Sequence, residues 1–321
     1  MNFLGVESIN SAVAQDMRGF INRSEDIYNS NILTATEHIR LLSGGKPIVL
    51  VAGPSGSAKT TTAKRLCECL GAAGVPAFSI SMDNYFYPKD EALHTPKTPD
   101  GKIDFESPYR VDIPRFKADV KAFLEGRETI VPHFDFVTQR RTDGELIKRP
   151  PDGVVIIEGI HALNPIMTDS IKEHTFGIYV SVRTKITSCG GAGGVCGGAV
   201  MGKPGTEHSL PPSMVRLMRR LSRDKRFRGR TPLEIWEMYK LVALGEEQYI
   251  KPFRPLADLD IDTFIPYEAG VYKNFLEKDV KAISEKFPEN EDLNMMSEIL
   301  EKLIPIPETA VPEYSIVHEF I

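Results

Sequence analysis

The run Gly53-Pro54-Ser55-Gly56-Ser57-Ala58-Lys59-Thr60 has the residue types and order needed to hold a chain of phosphates. Small residues let backbone N–H groups converge on phosphate oxygens, and a helix opening at the end of the loop adds partial positive charge. In that arrangement Lys59 reaches the β- and γ-phosphates of ATP, the Thr60 hydroxyl ligates Mg²⁺, and Thr61 follows in the helix. Ala58 stands where a last glycine is expected, and a helical φ there would make its methyl group tolerable. Two acids follow short apolar runs: Asp83 after Ala77–Ser81, and Glu158 after Val154-Val155-Ile156-Ile157. Mg²⁺ takes one or two carboxylates beside phosphates and waters, which suits Glu158 and also Asp83. Asp83 could instead accept a proton from a substrate hydroxyl. A turn or helix-cap role competes for either acid alone.

A third group is basic. Arg216, Arg219, Arg220, Arg223, Lys225, Arg226, Arg228 and Arg230 crowd together, with Leu217, Met218, Leu221 and Phe227 interleaved. A solvated helix face, a clamp over phosphates and an RNA-binding surface are the three readings of such a run. Just upstream, Ser188–Gly205 is rich in glycine and reads as a mobile stretch that would let a lid close.

The elements that must position these groups alternate. Ile48–Ala52, Ala77–Ser81, Thr129–Phe134, Val154–Ile157, Gly177–Val182 and Ile261–Ile265 read as strands. Thr60–Leu70, Ile113–Leu124, Met214–Arg226, Pro232–Tyr249 and Val271–Phe287 read as helices between or after them. Strands alternating with helices predict an α/β fold, a P-loop-type parallel sheet with helices on both faces. Ligands then gather at the carboxyl ends of the strands. Residues 1–45 read as a helical appendage, 46–287 as the P-loop domain with a lid at about 186–230, and 288–321 as a C-terminal helix and tail.

Composition narrows the function classes. With 41% hydrophobic and 26% charged residues, the chain of 321 residues is expected to fold. It has no apolar run long enough to span a bilayer, so no membrane partner is expected. A net charge of −5 argues against a protein that coats nucleic acid. The N-terminus does not read as a secretory signal, which makes Cys67, Cys69, Cys189 and Cys196 reduced thiols of a cytoplasmic protein. A homo-oligomer remains open.

Six ordered pieces extend the phosphate loop into a wider pattern. They are Gly53–Thr60, Met82-Asp83-Asn84-Tyr85, Asp104-Phe105-Glu106-Ser107-Pro108, Phe134-Asp135-Phe136-Val137, Ile157-Glu158-Gly159-Ile160, and Arg223-Asp224-Lys225-Arg226-Phe227-Arg228-Gly229-Arg230. From about Pro47 to Pro266 the chain resembles the uridine kinase/phosphoribulokinase group of P-loop kinases, and within it the uridine kinases most closely. The resemblance implies ATP-dependent phosphorylation of a nucleoside 5′-hydroxyl, that of uridine or cytidine first, with Mg²⁺. It implies that Asp83 is the general base, that Glu158 supports Mg²⁺, and that Glu106 holds the ribose hydroxyls where the family has an aspartate. It implies that Phe136 packs on the base, that Arg223 and Arg228 are lid arginines on the phosphates, and that Arg230 is a nearby basic position. Phe134 stands where the family has a tyrosine and Gln139 where it has a histidine, the two residues that read the pyrimidine edge. The rival readings are a kinase of the same group for another small hydroxyl acceptor (a sugar phosphate or pantothenate), a nucleotide-regulated RNA-binding protein, and a degenerate kinase fold disabled at Ala58.

Overall fold

The computed structural model describes residues 2–88, 96–98, 101, 103–188 and 209–321. In chain order the elements are β1 (Asn2–Gly5), α1 (Val6–Leu42), β2 (Ile48–Ala52), α2 (Lys59–Ala72), β3 (Ala77–Ser81), α3 (Ile113–Leu124), β4 (Glu128–Asp135) and β5 (Arg140–Lys148). There follow β6 (Val154–Glu158), α4 (Pro165–Thr168), β7 (Thr175–Ser181), β8 (Thr184–Thr187), β9 (Ser209–Leu210), α5 (Pro212–Phe227), α6 (Pro232–Tyr249), β10 (Leu259–Asp262), α7 (Glu268–Lys286) and α8 (Glu291–Lys302). The chain divides into two compact units, one of Asn31–Val180 with Lys240–Ile261, the other of Met1–Ser30, Ser181–Tyr239 and Asp262–Ile321.

The first unit is built on a sheet of order β10-β7-β2-β6-β3. β2 runs parallel to both β6 and β7, and β3 parallel to β6. Every residue of β2 and β6 is buried, as unbroken apolar strands covered on both faces should be. Ile48, Leu50, Val155, Ile157, Phe116 and Phe123 are among the side chains of one continuous apolar core. Each such residue contributes about 1.5–3 kcal/mol on burial. The register sets Glu158 opposite Val51 on one side and Ser81 on the other. The loop after β2, the turn after β3 and the end of β6 therefore meet at one end of the sheet.

Thr129–Phe134 does not join this sheet. It lies within β4, which pairs antiparallel with β5 as a two-stranded hairpin. A short apolar run cannot say which partner it will find, and β5, largely exposed and polar, gave no signal of its own. The hairpin turn is closed by Asp135, which accepts hydrogen bonds from the Val137 N–H (2.8 Å) and the Thr138 hydroxyl (2.7 Å).

In the second unit β1 pairs parallel with β8, which also pairs with β9. Residues 2–5 are thus a strand and not the helix expected of them. α5 is ordered by what it buries. Arg216, Arg219 and Arg220 are at most 5% exposed, so part of the basic run faces inward. Arg219 forms a bidentate pair with Glu268 (2.7 and 2.9 Å), both side chains fully buried. The tail residues Ile316, Val317 and Phe320 are fully buried. Residues 189–208, including Cys189, Cys196 and most of the glycine-rich stretch, lie outside the described residues.

Candidate active site

The phosphate loop connects β2 to α2, as its residues require. At Gly53 an added Cβ would lie 2.1 Å from the Val180 carbonyl oxygen, so only glycine lets the loop leave the sheet here. Ala58, almost fully buried, precedes α2 with φ 63° and ψ 36°. This is the left-handed region and not the helical φ that would make the methyl group comfortable. Its side chain caps nothing, and the first turn of α2 holds no acid. The opening N–H groups of the helix thus face the loop without a side-chain anion, which suits a phosphate. The Lys59 ammonium donates to the Pro54 carbonyl across the loop, 3.1 Å away. Pro54, Gly56 and Ser57 are buried and Ser55 half-buried, and the Ser57 hydroxyl is enclosed with no hydrogen-bond partner among the described residues.

The Thr60 hydroxyl donates to Glu158 across the end of the sheet at 3.2 Å. Glu158 is only 5% exposed. A hydroxyl and a carboxylate oxygen side by side are hard donors suited to Mg²⁺. Among the described residues no group of three or more His, Cys, Asp or Glu side chains could hold a metal alone. A cation at Thr60 and Glu158 would take its remaining ligands from phosphate and water, the usual habit of Mg²⁺. Asp83 sits half-buried in a short turn, Met82–Tyr85, that the Ser81 hydroxyl caps through the Asp83 N–H. Its neighbour Asn84 accepts from the Phe134 N–H (3.3 Å), tying the turn to the hairpin.

Glu106 is held by its own segment and by α6. Asp104 accepts from the Glu106 N–H (3.1 Å) and from the Tyr249 hydroxyl (2.8 Å). Gly245 of α6 lies so close that a Cβ there would fall 2.2 Å from the Glu106 Cβ. Phe86, Phe134 and Phe136 pack edge to face, with centroids 5.3 to 6.4 Å apart. Phe134 is buried, whereas Phe136 is 45% exposed and offers a ring surface. Gln139, at φ 55° in the hairpin turn, donates its amide to the Phe136 carbonyl (2.7 Å).

Residues 48–188 match the phosphoribulokinase / uridine kinase family. By this segment the chain is similar to that family. It is 27% identical over 229 residues to the uridine kinase of Deinococcus deserti, spanning 70% of this chain and 89% of the relative. Against the uridine kinase of Borrelia hermsii the identity is 28% over 216 residues, 67% of this chain and 85% of the relative. A crystal structure of a proposed fructose transport system kinase from Silicibacter sp. TM1040 aligns with a TM-score of 0.50 at 20% identity, covering 71% of this chain and 98% of that one. That likeness is one of fold, and it agrees with the central parallel sheet. The likeness supports a P-loop, nucleotide-binding kinase of this group.

Arg223, Arg228 and Arg230 belong to the second unit. α5 ends at Phe227, and Gly229 takes φ +62° just beyond. Ending the helix there lets Arg223 and Arg228, five apart in sequence, turn to the same carboxylate. Arg223 lies 2.8 Å and Arg228 3.4 Å from buried Asp224, with Arg220 at 3.9 Å. Partial burial and then Arg223 push Arg228 down to about 10, against the pull of Asp224, so it stays charged at neutral pH. Arg230 donates its backbone N–H to the Asp224 carbonyl (3.2 Å) and its guanidinium to the Met238 sulfur (3.1 Å).

Four further residues of the first unit bear on the site with no motif to mark them. Gly245 and Tyr249 carry no motif; a glycine inside a helical pattern was the one available signal. His161, three residues past Glu158, is 2% exposed, and among the described residues neither ring nitrogen makes a hydrogen bond. Burial pushes it down to about 4, the backbone of Glu106 and Tyr249 pulling slightly the other way. The fourth is Arg110, buried beside Asp83 and Glu106.

Proposed function

We propose that this kinase transfers the γ-phosphoryl group of ATP to the 5′-hydroxyl of a nucleoside, uridine or cytidine, giving the 5′-monophosphate and ADP. The observation that carries the reading is the meeting of Lys59, Thr60, Glu158 and the Asp83 turn at one end of the sheet. Phosphoryl transfer is mostly positioning and electrostatics, and these groups supply both. The loop N–H groups and Lys59 bind and orient the phosphates. Thr60 and Glu158, with Asp83 near them in the family pattern, would hold Mg²⁺, which neutralises charge on the phosphate oxygens. Asp83 accepts the proton of the attacking hydroxyl, Glu106 holds the vicinal hydroxyls of the sugar, and Phe136 packs on the base. The family resemblance gives Arg223, Arg228 and Arg230 to the phosphates. Burial of Arg216, Arg219 and Arg220 supports a small-molecule role for the chain over an RNA-binding helix face.

A coupled ADP-release assay across uridine, cytidine, purine nucleosides, pantothenate and sugar phosphates tests the reading. Turnover is expected with the pyrimidine nucleosides, to be lost in Asp83→Asn while calorimetry still records ATP binding. Lys59→Ala should lower kcat by ~10²-fold or more. Turnover confined to a sugar phosphate or pantothenate would move the protein to another acceptor within the family.

A further inference from the structure

Arg110 is the last residue of a short turn, Pro108–Arg110, capped by the Ser107 hydroxyl. This turn is bound to the Asp83 turn through the backbone. The Tyr87 N–H donates to the Arg110 carbonyl (2.9 Å), and the Asp112 N–H to the Tyr85 carbonyl (2.8 Å), with Phe86 and Val111 bridged between them. The Arg110 guanidinium lies over two rings, 4.6 Å from the Phe86 centroid and 4.9 Å from that of Phe105. Arg110 is 7% exposed. Among the described residues its guanidinium has no hydrogen bond and no carboxylate within ion-pair distance, and its Nε is buried with no partner. Burial lowers its pKa, while the fields of Asp83 and Glu106 raise it.

Buried arginines are ordinarily paired, because an unpaired buried charge is costly. Two phenylalanine rings fix the plane of this one and leave its donor edge unused. Its surroundings also indicate what it meets. One guanidinium faces two carboxylates, Asp83 and Glu106, so the local field is unfavourable to an anionic acceptor. A neutral oxygen with exposed lone pairs has no such penalty. Phe86 packs on Phe134 and Phe136, so Arg110 stands on the same aromatic wall as the ring assigned to the base. The two positions that read the base edge in the family cannot do so in the same way here. Phe134 has no hydroxyl, and the Gln139 amide is engaged with the Phe136 carbonyl.

We infer that Arg110 is a substrate-binding residue that donates to a ring carbonyl oxygen of the acceptor's base. The inference rests on the nucleoside reading above. It assigns recognition of the base to a residue outside the positions that the family resemblance supplies.

The test measures KM for uridine and for ATP separately in the wild type, Arg110→Met and Arg110→Lys, with the thermal midpoint of each. Met fills the space between the rings without charge, and Lys keeps the charge without the planar fork. The uridine KM is expected to rise about 10- to 100-fold in Arg110→Met, as for loss of a hydrogen bond to a charged group. The ATP KM should stay within about twofold, because the phosphate loop is untouched. Should Arg110→Met not fold, Arg110→Lys carries the same comparison, with a several-fold rise expected. A ribonucleoside bearing a phenyl ring in place of the base should lose as much against the wild type as uridine loses in Arg110→Met, and lose little more in the variant. An unchanged uridine KM in a folded variant overturns the inference and leaves the kinase reading standing. If the wild type turns over no nucleoside but an anionic acceptor whose KM rises in Arg110→Met, both the nucleoside reading and the carbonyl assignment fall.

Discussion

Ala58 holds the start of α2 in a backbone conformation that glycine adopts freely and alanine does not. The left-handed region costs an L-residue roughly 1–2 kcal/mol, and glycine gives back about half of that through its larger unfolded-state entropy. Ala58→Gly is therefore expected to raise stability by about 1 kcal/mol, with ATP binding as tight as before or tighter. Thermal unfolding with calorimetry at matched Mg²⁺ checks it. A lower midpoint would mean that contacts of the Ala58 methyl group outweigh the backbone term. The helical φ that would make the methyl group tolerable is not the one Ala58 adopts. Nor does residue type decide exposure in α5, where Arg219 is fully buried on Glu268 and Arg223 is turned to Asp224.

At the scale of elements, α6 bears on the candidate site. Its start is set locally: Thr231 and Glu234 form a reciprocal cap, with Pro232 at the first helical position. Its far half positions Glu106 through Gly245 and Tyr249. Gly245→Ala would gain up to ~1 kcal/mol of helix propensity, but its new methyl group would meet the Glu106 Cβ at 2.2 Å. Overpacking of this kind costs about 1–3 kcal/mol and here displaces a carboxylate assigned to the acceptor. The expected outcome is a lower thermal midpoint and an acceptor KM raised roughly tenfold, with the ATP KM unmoved. Kinetics varying each substrate in turn will show it, and equal effects on both KM values would place the damage elsewhere.

At the scale of the whole molecule, two compact units make a single unfolding midpoint an incomplete description, so pH effects belong to the unit that carries the group. His161 lies in the unit of the phosphate loop, with its pKa depressed from 6.5 to about 4 by burial. Between those values the unfolded chain binds a proton that the folded one refuses, so stability falls as pH falls. The loss is complete once pH drops through the folded value and amounts to about 3 kcal/mol. Hydrogen exchange at pH 7 and pH 4.5 should show amides of β2 and β6 losing protection more steeply in the wild type than in His161→Leu. Equal slopes in the two proteins would place the acid sensitivity in other groups.

What the sequence determined by itself was local. Gly53–Thr60 is a contiguous motif whose chemistry follows from its order, and β2, β3, α3 and α6 lie where apolar runs, prolines and caps put them. The carboxyl-end placement of Asp83 and Glu158 followed from the same alternation. Pairing was decided only in three dimensions. β4 found β5 and not the parallel sheet, and residues 2–5 became a strand because β8 was available to pair with them. That Arg219 belongs to the core depends on Glu268, a buried acid 49 residues away. Arg110 and His161 carry no motif, and their burial against Phe86, Phe105 and Tyr249 arises from segments far apart in the chain. Backbone propensity and capping act over a few residues, whereas desolvation and close approach are properties of the packed chain.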